Sequence, residues 1–248
     1  MKSTSYGCAV AVLLFFPDVA LAQAPPAAPP PPPPRWERKA ELSFVSTGGN
    51  TDTQSLGLGA SVVFRPAKWT TEPPTAFLRN AADAVETAKS WIFDFREARA
   101  LSERAEVFGR YGYVTDRFAG IEHRNTIDGG VGYKLLPGPV HTLRVDGGLG
   151  YTNEGRVTGE SQSFALVNIG SAYKWQMSKT ADVTDSAVLT ESLQDHDEWR
   201  FANAVAISAA VTHVVSLKLS NDAKFNNSPV PGFEKTDRVT SAAIVAKW

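Results

Sequence analysis

From Arg35 onward, apolar and polar positions alternate with a period of two. Leu56, Leu58, Ala60, Val62 and Phe64 are separated by Gly57, Gly59, Ser61 and Val63, and Leu143, Val145, Leu149 and Tyr151 by Arg144, Asp146, Gly148 and Gly150. Val131, Tyr133 and Leu135 alternate with Gly130, Gly132 and Lys134, and Leu217 and Leu219 with Ser216, Lys218 and Ser220. Successive side chains of a strand point to opposite faces, so each segment is a strand with one apolar face. The pattern predicts twelve strands, near residues 38–46, 53–65, 75–84, 88–100, 103–115, 121–136, 141–153, 162–175, 180–191, 199–210, 214–226 and 236–248. The third also fits a short helix, because Phe77, Leu78, Ala81, Ala82 and Val85 recur at helical spacing. It is read as a strand, since an odd count would leave the two chain ends on opposite sides.

Antiparallel strands with one apolar face either bury it inside a water-soluble fold or turn it outward to lipid. The other faces carry Asp94, Arg96, Glu106, Arg110, Glu122, Arg124, Asp128, Arg144, Asp146, Arg200, Lys218 and Lys224 among many glycines. Three features favour lipid. Aromatic residues gather at segment ends, with Trp91, Tyr113, Tyr151 and Trp199 at one level and Tyr133, Trp175 and Trp248 at the other. Such girdles mark the two interfaces of a membrane barrel. The connections alternate between short and longer, apart from the stretch 66–74. The chain also closes on the aromatic Trp248, with Ala246, Ile244, Ala242 and Thr240 in phase behind it. The expected fold is therefore all-β, a transmembrane antiparallel up-and-down barrel of about twelve strands.

Upstream of the barrel, Lys2, an apolar stretch over residues 9–16 and Ala20-Leu21-Ala22 have the layout of a secretory signal. The expected organisation is a signal peptide at 1–22, a periplasmic linker rich in Pro and Ala at 23–35, and an outer-membrane barrel at 36–248. Eight of the sixteen prolines fall in residues 24–34, a composition that favours an extended polyproline spacer. The longest apolar run is too short for a transmembrane helix, which takes about 20 residues. A net charge of −1 supplies no field for nucleic acid, and the single cysteine excludes a disulfide framework or a cysteine zinc site.

Candidate chemistry is sparse. Asp195-His196-Asp197-Glu198 resembles one half of a rim protease site, but such a site needs a second acidic pair facing it, and the other outer loops offer isolated acids such as Asp52, Asp83, Asp116 and Glu154. No histidine has a serine two positions on, as a lipid-facing Ser–His pair on one strand requires. No catalytic, metal or cofactor site is expected. The informative set is the inward charge of Glu106, Arg110, Glu122, Arg124, Asp128, Arg144 and Asp146. Paired across neighbouring strands these side chains fill a lumen, and unpaired they line a narrow selective channel.

Several motifs carry a family resemblance. Leu42-Ser43-Phe44 leading into Gly49-Asn50-Thr51-Asp52-Thr53 resembles the opening hairpin of the salt-induced outer-membrane protein family, a proteobacterial family of unknown function. Asp116-Arg117-Phe118-Ala119-Gly120-Ile121-Glu122-His123-Arg124, Gly129-Gly130-Val131-Gly132-Tyr133 and Pro231-Gly232-Phe233-Glu234-Lys235-Thr236-Asp237 extend it over nearly the whole mature chain. The resemblance implies an outer-membrane barrel of a Gram-negative bacterium with no assigned activity. The partners expected are outer-membrane lipid, the barrel-assembly machinery acting on the strand that ends at Trp248, and small solutes or ions. The functional expectation is a narrow porin-like conduit, with a non-conducting envelope protein for membrane integrity or salt adaptation as the alternative.

Overall fold

Alternating segments build strands because the pleat sorts their side chains onto two faces. The computed structural model describes residues 35–48, 53–66, 69–72, 76–81 and 89–248. The expected signal peptide, nearly all of the linker and the turn Gly49, Asn50, Thr51 and Asp52 lie outside the described residues. The strands are β1 (Trp36–Gly48), β2 (Thr53–Phe64), β3 (Trp69–Glu72), β4 (Ala76–Ala81), β5 (Lys89–Ala100), β6 (Ala105–Asp116), β7 (Ile121–Pro137), β8 (His141–Arg156), β9 (Gln162–Gln176), β10 (Ala181–Ser192), β11 (Trp199–Ala210), β12 (Val215–Asn226) and β13 (Thr236–Lys247).

From β5 to β13 each strand pairs antiparallel with its sequence neighbours, and β1 pairs with both β2 and β13. The β1–β13 register runs from Lys39↔Lys247 to Gly48↔Arg238, which closes the sheet on itself. β3 and β4 both lie between β2 and β5, one beyond the other, so thirteen strands occupy twelve positions around the wall. This removes the apparent exception at 66–74. The strand starts at Trp69, straight after a tight turn in which the Trp69 N–H donates to the Pro66 carbonyl at 2.8 Å. The third segment is thus a strand, interrupted once.

Closure leaves the two ends of the wall unlike. Connections at the end holding Trp36 and Trp248 cover 101–104, 138–140, 177–180 and 211–214, whereas 157–161, 193–198 and 227–235 lie at the other. The serine or threonine of the turns 101–104, 177–180 and 211–214 (Ser102, Ser178 and Thr212) accepts backbone N–H groups, so each turn satisfies its own donors.

The faces divide by polarity in the sense opposite to a water-soluble fold. Leu42, Phe44, Leu56, Leu58, Ile127, Leu149, Ile169, Leu217, Leu219 and Ile244 are exposed on the outside. Ser43, Asp128, Glu154, Asn168, Ser220 and Ser241 are buried inside. Water would penalise an apolar surface this continuous, whereas hydrocarbon accepts it. The aromatic residues frame it. Trp91 meets Tyr113 edge-on with centroids 5.7 Å apart, and Trp199 packs on Phe225 at 4.8 Å. At the other end Trp36 stacks on Phe64 at 4.2 Å, and Trp175 lies beside His141. Tyr133, Tyr151 and Trp248 are exposed as well.

Register shifts interrupt the phase at both ends of β7, one of them between Lys134 and Leu136 against β8. The β6–β7 register shifts between Val114 and Asp116, and the β7–β8 register between Ile121 and His123. An extra residue on one strand reverses the facing of those beyond it. Glu122 occupies that extra position. It is exposed and separate from the inward charges with which its parity had grouped it.

Candidate functional site: the charged lumen

Inside the barrel the ionisable side chains fall into two populations. On the β5–β9 side they form a dense ion-paired lattice. Arg96 reaches Glu106 at 2.6 Å and Asp146 at 3.7 Å, and Arg144 reaches the same two carboxylates at 3.5 and 3.1 Å. The Arg96 guanidinium also lies 4.6 Å from the centre of the Phe108 ring. Gly132 makes room for this group, since a Cβ there would stand 2.5 Å from Asp146 Oδ1. Next along, Arg110 donates to Asp128 at 2.9 Å, and the Asn168 amide donates to the second oxygen of Asp128 at 3.1 Å.

Toward the loop end, Glu154 is fully buried at 0% exposure and receives three guanidinium groups. Arg124 donates at 2.6 Å and Arg156 at 2.8 Å, and Arg200 crosses from β11 to within 2.9 Å. Glu198 joins the same group through Arg156, Arg200 and a hydrogen bond from Gln162 at 3.0 Å. Burying an ion is costly, and the geometry at Glu154 offsets the cost because each of its two oxygens accepts from a guanidinium.

Six of the seven sequence-predicted lumen residues (Glu106, Arg110, Arg124, Asp128, Arg144 and Asp146) therefore come together, and Glu122 does not. Their partners Arg96, Arg156 and Glu198 were absent from the predicted set. Glu154 and Asp116 had been read as isolated loop acids. Both belong to strands and point inward, Glu154 in phase with Arg144, Asp146 and Thr152 on β8, and Asp116 in phase with Glu106 and Arg110 on β6. The loop 193–198 separates similarly. His196 bonds to Glu191 at 2.7 Å, Asp195 accepts the Asp197 N–H, and Glu198 turns inward. The carboxylate of Glu191 holds the His196 imidazole above the usual histidine range, by hydrogen bond and by charge.

The other side of the lumen, from β10 through β13 and β1 to β2, is lined by small residues such as Gly59, Ser61, Ser186, Ala202, Ala204, Ser220 and Ser241. Open space results. One cavity of about 400 Å³ on this side reaches Lys39, Glu41, Lys218 and Asp222, and a second of about 350 Å³ at the loop end runs between Arg200, Asn226 and Lys235 and the lattice residues Arg110, Arg124 and Asp128. They are contiguous, sharing Ile92, Asp116, Val188, Ala202, Lys224 and Asp237.

The loop 227–235 lies over the mouth of the second cavity. Val230 is 1% exposed, the Thr158 hydroxyl donates to the Pro231 carbonyl at 2.9 Å, and the amide of Asn227 and hydroxyl of Ser228 both donate to the Asp197 carbonyl. Beneath it sits the single turn of 3₁₀ helix Arg117–Ala119, which ends on Gly120 in the left-handed region at φ +71°. Two sequence motifs far apart in the chain, 116–124 and 231–237, thus meet at one place.

A closed antiparallel wall, apolar outside and charged within, defines an integral β-barrel of the outer-membrane type. The chain belongs to the family described as "Protein of unknown function, DUF481", whose model matches residues 40–248. It is similar to the uncharacterized protein YdiY of Escherichia coli K12, with 22% identity over 212 residues that cover 84% of this chain and 82% of that one. Among solved structures the fold is similar to the NanC porin, with a TM-score of 0.59 and 8% identity over 84% of this chain and 100% of that one. It is also similar to the translocator domain of the autotransporter NalP from Neisseria meningitidis, with a TM-score of 0.50 and 9% identity over 87% and 89% of the two chains. At these identities the likeness to both structures is one of fold.

Proposed function

We propose that this protein is a narrow conduit for small polar solutes or ions across the outer membrane of a Gram-negative bacterium. The observation that carries the reading is the pair of contiguous cavities, the first along the small-residue side beside Lys39, Glu41, Lys218 and Asp222 and the second reaching Arg110, Arg124 and Asp128, with Lys224 lining both. Their size suits single small solutes or ions, as expected of a twelve-stranded lumen rather than of a wide porin. Under this reading the lattice on the β5–β9 side is scaffold. It ties neighbouring strands together and holds the wall rigid, with Arg110, Arg124 and Asp128 also bordering the second cavity. No catalytic step is assigned to any residue.

The same proposal includes removal of residues 1–22 on export, a Pro-rich linker in the periplasm and recognition of the last strand, ending at Trp248, by the assembly machinery. Reconstitution of the mature chain in planar bilayers tests the central claim. Discrete conductance steps are expected, and silence across a wide voltage range overturns it. Such silence would favour the second reading, a non-conducting envelope protein for integrity or osmotic adaptation. The observation behind that alternative is the loop 227–235 seated over the mouth with Val230 buried beneath it.

A further inference from the structure

We propose that Lys224 is a tethered counter-ion at the waist of the lumen, held where a permeating cation would sit, and that it sets the charge selectivity and conductance of the pathway. The inference rests on the conduit reading and adds the residue that governs it. The argument starts from topology. β6 and β12 are six positions apart in a wall of twelve, so they stand diametrically opposite. From β12 the Lys224 ammonium crosses the lumen to within 3.8 Å of Asp116 Oδ2 on β6. The two cavities adjoin at this place, and Lys224 and Asp116 line both.

The ionisable residues common to both cavities are Asp116, Lys224 and Asp237, with Arg238 lining the first cavity and Lys235 the second. Asp237 is the register partner of Lys224 on β13, and Asp222 lies two residues back on the same inward face of β12. Lys218, the next cation along β12, is engaged by Glu41 at 3.0 Å. Ile92 and Val188 complete the waist with apolar surface. Low-dielectric walls strengthen the field of each charge there, and with the lining charges near balance Lys224 tips its sign.

Two details distinguish this pair from the lattice. At 3.8 Å the contact is longer than a charge-assisted hydrogen bond, and the Lys224 side chain keeps 45% of its surface exposed, so the ammonium is free to move on its four-carbon stem. Asp116, by contrast, is more than nine-tenths buried, and its Oδ1 has no hydrogen-bond partner among the described residues.

The test compares the wild type with Lys224→Met, Lys224→Arg and Asp116→Asn in planar bilayers under a KCl gradient. Lys224→Met keeps the stem and removes the charge. It should move the reversal potential toward the cation equilibrium value and raise the single-channel conductance. Asp116→Asn should move the reversal potential the opposite way, and Lys224→Arg should match the wild type. If the wild type conducts and both neutralising variants share its reversal potential and conductance, the waist is overturned and the conduit stands. A silent wild type beside a conducting Lys224→Met overturns the open conduit and upholds Lys224 as its plug. Silence of all four overturns both.

Discussion

Gly120 lies so close beneath the ring of Phe233 that a Cβ added to it would stand 2.6 Å from Cε2 of that ring and 2.9 Å from Cβ of Val230. Its φ of +71° is a conformation that glycine adopts without steric cost. Contact and backbone angle together make this the point where the loop 227–235 is anchored to the β6–β7 turn. The Gly120→Ala variant should lose about 1–2 kcal/mol from the left-handed backbone. Displacement of the ring should add about 1–3 kcal/mol. Limited proteolysis should then cut within 227–235 sooner than in the wild type, with the wall still resistant.

Glu154 is the carboxylate on which Arg124, Arg156 and Arg200 converge. Its removal leaves three buried cations with only Glu198 nearby. Glu154→Ala should therefore cost about 3–5 kcal/mol, the range for breaking a buried pair from one side. Urea-induced unfolding from lipid vesicles measures it. A loss within experimental error would show that the cluster is hydrated and contributes little.

Arg144 tests the division of the lumen charges into those that border open space and those that do not. It is held by Asp146 at 3.1 Å and Glu106 at 3.5 Å, away from both cavities. Arg144→Gln should lower stability and leave the reversal potential of the reconstituted protein where it was. A clear shift in ion selectivity would place the conducting path among the β5–β8 charges instead.

The outward wall offers a direct test of its solvent. Ile127 is 63% exposed on β7, beside Tyr111 of β6. If hydrocarbon surrounds it, Ile127→Arg should weaken folding into bilayers by about 2–4 kcal/mol, the penalty for a cation near the midplane of a barrel wall. An unchanged free energy would mean that water or protein covers that surface.

His196 should titrate above the ordinary histidine value, because the carboxylate of Glu191 at 2.7 Å favours its charged form. A raised folded-state value stabilises the link fully below the unfolded value. The contribution is lost as pH rises through the raised one. The ring resonances of His196 should report a midpoint above that of a free histidine, and Glu191→Gln should return it toward the ordinary value. Equal midpoints in the two proteins would mean that the contact is not kept in solution.

The local pattern alone determined the strands, their inward and outward faces and the even number that returns Trp248 to the side of Trp36. Facing is a property of the pleat, which repeats every two residues wherever the backbone is extended, so Leu56 through Phe64 announce their orientation without reference to any other strand. The same logic led to six of the seven inward charges. It failed at Glu122, where a bulge inserts one residue, and at Trp69–Glu72, a strand that the pattern leaves within a connection. Only closure of the wall decided which charges meet. Arg96 with Asp146 and Arg200 with Glu154 join strands three places apart, and Lys224 with Asp116 joins strands six places apart. Curvature and stagger bring such residues within reach, and neither leaves a trace in the spacing of residues along the chain. For the same reason the sequence placed charge inside the barrel but did not distinguish the charges that border open space from those, such as Arg144, that do not.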